Sequence, residues 1–454
     1  MMNFREMLFK FSCNCCSMRL FLMSYLDMES DNLDRDSNSL CKSFGFKSIE
    51  LWLTRKSKVK LAVELLDELE DSGNRWLCTL RGYQQKSSVT RRKIFVNWIL
   101  ALVGLVITLK TFLTTFISNK FIGILLGDIF FGLPGHDIQN MLLTMIFLLS
   151  SGVKHVGFEK ERLNRYKILR VYHKLRETQF EYDELMLSQH DCTQIRKFIY
   201  LFGQFYKIDS PAVSIAIPVW LLLIYLTNPV NQESLFNAII TGLWTLITAI
   251  VFIYGAYATV WSFIHNTLIV VFVIHSLKSL YSYGESILDQ GCSEAQISKY
   301  LTQQNRIYNL VHQHVVEMGM VTGYGIFVVS CTGNFALFVS IFIGTGSNLT
   351  DYVILAVGCM NMTSIVTLNT VGALSANMIL SCRALNYRIA RRIRCQFKYK
   401  LKLLMTCERL NLTRIGFSTG GIYKLDSESF LLYLLENAGL MLMFITNFNK
   451  LNTQ

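Results

Sequence analysis

A chain of 454 residues that is 52% apolar and only 17% charged, with a mean hydropathy of +0.34, does not read as soluble domains. Its net charge of +12 would suit nucleic acid, but the 44 Lys and Arg are segregated. Sixteen lie in residues 1–93, 10 in 158–210, 3 in 276–319 and 11 in 381–427, so four basic segments alternate with apolar blocks, the pattern of loops held in the cytosol by the positive-inside rule.

Residues 1–93 form the first basic segment and are expected to be a cytosolic region. The stretch 9–25 is apolar after Arg5 and Lys10, but Arg19 interrupts it and no small-residue cleavage site follows. Cys13, Cys15 and Cys16 lack a second pair at zinc-ligand spacing, so no metal is expected. Val59, Val63, Leu66 and Leu69 recur at helical spacing and predict a helix over 58–70.

Seven apolar runs follow, at 94–117, 138–156, 211–227, 235–277, 320–343, 352–380 and 430–448. Each approaches the roughly 20 residues that a helix needs to cross a bilayer core of about 30 Å, and unpaired amides in lipid force them all to be helical. With basic loops inside, seven crossings put the amino end in the cytosol and leave 449–454 outside. None of the 12 cysteines falls in the outer segments 118–137, 228–234, 345–351 or 449–454, which argues against a disulfide framework. The Asn348-Leu349-Thr350 sequon lies in one of those outer segments.

The run 235–277 is too long for one crossing, yet splitting it would push the 11 basic residues of 381–427 outside. It is expected to be one helix of about 65 Å whose second half, rich in Leu268, Ile269, Val270 and Val271, leaves the membrane and is covered by other helices. Ile168, Val171, Tyr172 and Leu175, then Ile297, Leu301, Tyr308, Val311, Val315 and Met318, then Leu385, Ile389, Ile393, Phe397 and Leu401, mark further amphipathic helices. They predict long helices that project from the membrane into a cytosolic anchor bundle.

No HExxH, Walker loop, GxSxG or facing aspartate pair is present, so no enzyme and no cofactor are expected. Gly323-Tyr324-Gly325 reads as helix-packing glycine, and His312 and His314 point to different faces of a helix. Lys154 is expected to snorkel to the cytosolic face, and Lys110 has no account. In the last run Glu436, Leu440, Met443 and Asn447 recur at spacings of four, three and four and share one stripe. Two arrangements are open. The stripe lines an axis shared by several copies, with an acidic ring, an apolar constriction and an amide ring favouring cations; or Glu436 pairs with a loop Arg and Asn447 is interfacial.

The segment Gly416-Phe417-Ser418-Thr419-Gly420-Gly421-Ile422-Tyr423-Lys424-Leu425-Asp426 resembles the small-residue, glycine, aromatic, Leu-Asp stretch before the last helix of the arthropod seven-transmembrane chemoreceptors, gustatory receptors more than odorant receptors. That helix carries Thr-Tyr, five apolar residues and Gln-Phe in the family. The aligned residues here are Leu440-Met441, 442–446 and Asn447-Phe448. Phe448 is kept, Asn447 is a shorter amide, and the Thr-Tyr pair is replaced, so Gly421, Asn447 and Phe448 carry the match. The likeness is specific over 381–448 and looser back to 265, where Asn266-Thr267-Leu268-Ile269 resembles the polar start of the family's long cytosolic half-helix.

The resemblance implies a ligand-gated non-selective cation channel of the plasma membrane, a homotetramer or heterotetramer with related subunits, whose pore is lined by each last helix. Residues 94–448 would be the channel domain. A small tastant or odorant would enter among the second to sixth spans, where Tyr225, Trp244, Phe335, Phe338, Tyr352 and Asn361 are pocket candidates. Against a G-protein-coupled receptor stand the outward carboxyl end and the lack of DRY-like and NPxxY motifs; against a secondary transporter, the lack of repeated halves.

Overall fold

A computed structural model describes residues 59–85, 89–181, 185–290, 293–345, 348–392, 397–412, 416–419 and 423–452. The apolar runs form helices that extend well beyond them. In chain order these are α1 (Val59–Arg75), α2 (Arg91–Thr114), α3 (Lys120–Leu125) and α4 (His136–Arg162), then a 3₁₀ turn (Lys167–Leu169) and α5 (Arg170–Glu177). Next come α6 (Gln189–Thr227), the short α7 (Pro229–Gln232), α8 (Leu235–Gln290) and α9 (Glu294–Phe338), which closes in a π-helical turn (Val339–Ile343). The chain ends in α10 (Asn348–Arg392), α11 (Phe397–Leu412), the two-residue strands β1 (Ser418–Thr419) and β2 (Tyr423–Lys424), and α12 (Ser427–Asn452). Side-chain caps fix the starts of two of the helices that enter from the basic end: Ser188 accepts from the Asp191 amide at 3.0 Å, and Ser293 forms a reciprocal capping box with Gln296.

Among the described residues, six helices are long and apolar enough to cross a membrane: α2, α4, α6, α8, α9 and α10. The seventh apolar run lies within α12. Two of the six show why they need lipid. Leu102, Leu105, Leu109 and Leu113 on α2, and Leu235, Ile239, Leu243 and Leu246 on α8, are exposed apolar stripes at helical spacing that only a hydrocarbon surrounding can cover. The protein is therefore an all-α, multi-pass membrane protein.

The long fourth run is one helix, 56 residues in α8, and its two halves differ. Past the lipid-facing stripe, Ile264, Ile269, Val270, Val273, Leu277 and Leu280 are fully buried, at 0% exposure. They centre a cluster with Leu66 and Tyr83, with Ile168 and Tyr172, with Ile297 and Tyr300, and with Leu385 and Ile389. All four basic segments thus meet at one end of the molecule. The predicted outer connections meet at the other: Asn228 Nδ2 donates to the carbonyls of Ile129 (2.8 Å) and Phe131 (3.0 Å), and Gly135 lies against Thr345.

Several local expectations change. On α1 the buried stripe is Ala62, Leu65, Leu66 and Leu69, with Val59 and Val63 at its margin, because Trp261 and Gly203 dictate which face docks. Over 385–402, α10 is described to Arg392 and α11 from Phe397, Ile393 lies outside the described residues, and Phe397 is exposed while Leu403 and Cys407 of α11 face inward. Gly325 packs against nothing within 4 Å and borders open space. Lys154 does not reach solvent; its Nζ donates to the carbonyls of Trp76 (3.3 Å) and Leu77 (3.4 Å), capping the chain just after α1. Lys110 gains an account too, since its Nζ donates to Gly127 O at 3.1 Å and sits 4.7 Å from the Trp244 ring centre.

The docking of α1 depends on Gly73. A Cβ there would stand 2.6 Å from Trp261 Nε1, the group that donates to Leu69 O at 3.2 Å while Trp261 stacks on His265. Gly73→Val is expected to cost about 2 kcal/mol through overpacking, read as a lower melting midpoint of the purified protein and faster proteolysis at residues 59–85.

Candidate functional site

Two features of the membrane half can do chemistry: an internal cavity and the last helix. The cavity holds about 160 Å³ and lies among α4, α6, α8, α9 and α10. Phe205, Phe252, Phe263, Val213 and Met360 make it mostly apolar. Leu149, Thr259, Phe263, Val329 and Ser364 also line a second space of about 70 Å³ that reaches Asn266 and Gly325, so the two are contiguous. Pro211 and Pro218 within α6 remove backbone donors along its cavity wall, which loosens the helix ladder there.

What distinguishes the cavity is its unpaired polarity. Asp209 and Thr332 are buried, at 3% and 0% exposure, yet Asp209 Oδ1, Thr332 Oγ1 and Asn361 Nδ2 have no hydrogen-bond partner among the described residues. Buried polar groups are ordinarily satisfied, so three orphans around one cavity mark a place for a ligand or water. A roomier cleft of about 590 Å³ at the basic end, lined by Lys174, Gln303, Arg306 and Gln313, carries no such buried orphan among its lining residues.

Of the residues singled out from sequence, Asn361 lines this cavity. Tyr225 instead donates to Ala238 O at 3.0 Å, Trp244 lies under Lys110, Phe335 packs in the cluster at the end opposite the basic one, Phe338 is buried, and Tyr352 is exposed. Asp209 went unnoticed because it precedes the third apolar run by two residues.

The start of α12 is built by the glycine-rich segment. Ser418 pairs with Lys424 and Thr419 with Tyr423 in a minimal hairpin, and the Leu425 amide donates to Phe417 O at 2.9 Å. Phe417 and Leu425, each 1% exposed, plug into α9 and α10: Phe417 meets His314 edge-on at 4.7 Å, and Leu425 fills the space that Gly372 leaves. His314 itself bonds Asn266 on α8 at 2.5 Å, whereas His312 is exposed, as their opposite faces require. Asp426 caps the helix by accepting from the Ser429 amide at 2.9 Å. Burial alone would raise the Asp426 carboxyl, but the Ser429 hydrogen bonds and Lys424, 3.3 Å away, outweigh it and hold its pKa below the ordinary carboxylate value.

Further along, α12 is clasped to α9. Asn437 Oδ1 accepts from Ser330 Oγ at 3.2 Å and from Asn334 Nδ2, while Tyr433 OH donates to Ser330 Oγ at 2.9 Å. Asn437 Nδ2 donates back to Tyr433 O at 2.6 Å. α12 also packs on α10, and among its described side chains one face is uncovered: Glu436 and Met443 are exposed, as are Leu431, Leu435 and Leu442. No described Lys or Arg pairs with Glu436. Gly421 and the side chains of Leu440, Asn447 and Phe448 lie outside what is described.

No family model matches the sequence, and no curated protein matches it. Solved structures do. The insect olfactory receptor OR5 from Machilis hrabei, in complex with eugenol, superposes with a TM-score of 0.55 at 12% identity, covering 90% of this chain and 100% of that one. A second structure of the same receptor gives 0.57 at 14% identity, over 88% of this chain and 98% of that one. At such identities the match establishes the fold: over 90% of its length this chain has the architecture of an insect olfactory receptor.

Proposed function

We propose that this chain is a subunit of a ligand-gated, non-selective cation channel of the chemoreceptor superfamily, gustatory-receptor-like, in the plasma membrane. Four copies, identical or mixed with related subunits, surround a pore lined by α12, with amino ends in the cytosol and carboxyl ends outside. The observation that carries this reading is the uncovered face of α12, which presents an unpaired Glu436 and Met443 beside apolar residues while a polar clasp holds the adjacent side to α9. A helix so exposed, with a carboxylate at membrane depth, calls for water and neighbouring copies rather than lipid. Glu436, Leu440, Met443 and Asn447 are the pore-lining set. An odorant-receptor-type subunit is the second reading, favoured by the olfactory receptor fold.

The ligand is a small organic molecule bound in the 160 Å³ cavity, and α9 is the path from it to the pore. Val329 and Thr332 face the cavity, and Ser330 and Asn334 hold Asn437. Filling the cavity moves α9, and the clasp passes that movement to α12.

Recording from cells that express the chain tests the pore. Glu436→Gln is expected to lower single-channel conductance and cation-over-chloride preference by about twofold or more; unchanged values would remove Glu436 from the pore. A carboxyl-terminal tag should be cleaved by protease added to intact cells, and a protected tag would sink the topology.

A further inference from the structure

Asp209 is a carboxylate with no cation. It lies on α6 at 3% exposure, lines the cavity, and its Oδ1 has no hydrogen-bond partner among the described residues. The residues one helical turn away, Phe205, Tyr206, Ala212 and Val213, offer no positive charge. The neighbouring cations are committed elsewhere: Lys207 pairs with Glu68, and Lys154 is spent on the carbonyls after α1. Among the described residues Asp209 forms no ion pair. A buried carboxylate without a counter-charge is strongly unfavourable, far more so than the uncapped hydroxyls that helices tolerate.

The other orphans complete a recognition pattern. Thr332 Oγ1 can accept or donate, and Asn361 Nδ2 is an unused donor on the facing helix α10. Phe205, Phe252 and Phe263 supply aromatic walls, which hold flat apolar bodies and also attract a cationic group at their ring faces. A neutral apolar ligand would leave the carboxylate as it stands. A ligand with a protonated nitrogen would neutralise it.

We propose that the cavity selects an aromatic or aliphatic amine, whose ammonium pairs with Asp209 and donates to Thr332 while its apolar body occupies the Phe-lined remainder. This rests on the cavity being the ligand site, but not on the chain being a channel.

The test is binding to the purified full chain in nanodiscs, read by ligand-induced melting shifts. Benzylamine, phenethylamine and tryptamine are each compared with the alcohol of the same skeleton. At least one amine is expected to bind about 30-fold more tightly than its alcohol, as for a desolvated charge pair. Asp209→Asn should erase that preference while leaving alcohol affinity within about twofold. The unliganded variant should melt no lower than wild type, because a buried charge is removed. Thr332→Val, which keeps the shape, should weaken the same amine by about three- to tenfold. Equal affinity for every amine and its alcohol, or an amine preference that survives Asp209→Asn, overturns the proposal. Amine binding without evoked current would instead overturn the channel reading and leave this one standing.

Discussion

Replacing Asn437 with leucine is expected to reduce ligand-evoked current about tenfold or more with little loss of protein at the cell surface. The side chain is the hub of four hydrogen-bonding groups: it accepts from Ser330 and Asn334 and donates to the Tyr433 carbonyl, while Tyr433 itself bonds Ser330. Leucine keeps the volume but leaves the Ser330 hydroxyl hydrogen and the Asn334 amide without their acceptor, at about 1–3 kcal/mol each, although Ser330 still accepts from Tyr433. In lipid no water offsets that loss. The helix is otherwise held by its packing on α10 and by the Phe417–Leu425 hairpin at its start, neither of which, among the described residues, links it to α9 through a polar contact of its own. With the hairpin intact, Asn437→Leu should therefore leave α12 in place but loosely coupled to α9. Concentration–response curves normalised to surface biotinylation measure the effect. Ser330→Ala should act in the same direction but more weakly, and the double variant should fall short of the sum, as residues of one network do. Unaltered responses in Asn437→Leu would mean that α9 does not drive the pore helix through this contact.

The sequence made some of this legible and hid the rest for a definable reason. Long apolar runs can only be helices in a membrane, and the segregation of basic residues forces the 235–277 run to be a single element, as α8 is. The small-residue, Leu-Asp stretch could be located because a hairpin that seats Phe417 and Leu425 tolerates few other residues. Helix rotation was not legible. Which face of α6, α9 or α10 turns inward is set by packing partners far away in sequence, so choosing aromatic and polar residues by depth alone gathered Tyr225, Trp244 and Phe338 along with Asn361. The stripe on α12 shows the same limit: spacing identified Glu436 but passed over Asn437, one residue on, which makes the contact to α9. Asp209 did leave a sequence signal, an acid whose neighbours three and four positions away are all apolar or aromatic. Starting the third span at Pro211 hid it, although α6 runs through that proline without a break.

The second large effect concerns the cavity. Ala256→Trp is expected to abolish responses to every ligand that acts through this site, or to raise the half-maximal concentration by about 100-fold. Ala256 is 4% exposed and lines the cavity from α8. An indole there would occupy much of the 160 Å³ and displace ligand directly, without touching the Asn437 clasp or the Glu436 face. Overpacking would cost about 1–3 kcal/mol if the site were full. Here the added ring enters existing space, so the melting midpoint should hold or rise while ligand-induced melting shifts disappear. The sign separates two descriptions of the same cavity. A packing defect that is merely filled leaves function intact and gains stability. A ligand site that is filled gains stability and loses response. Movement of α9 by the indole itself is a further outcome with a distinct signature, because a side chain that mimics bound ligand would produce standing current that Asn437→Leu suppresses.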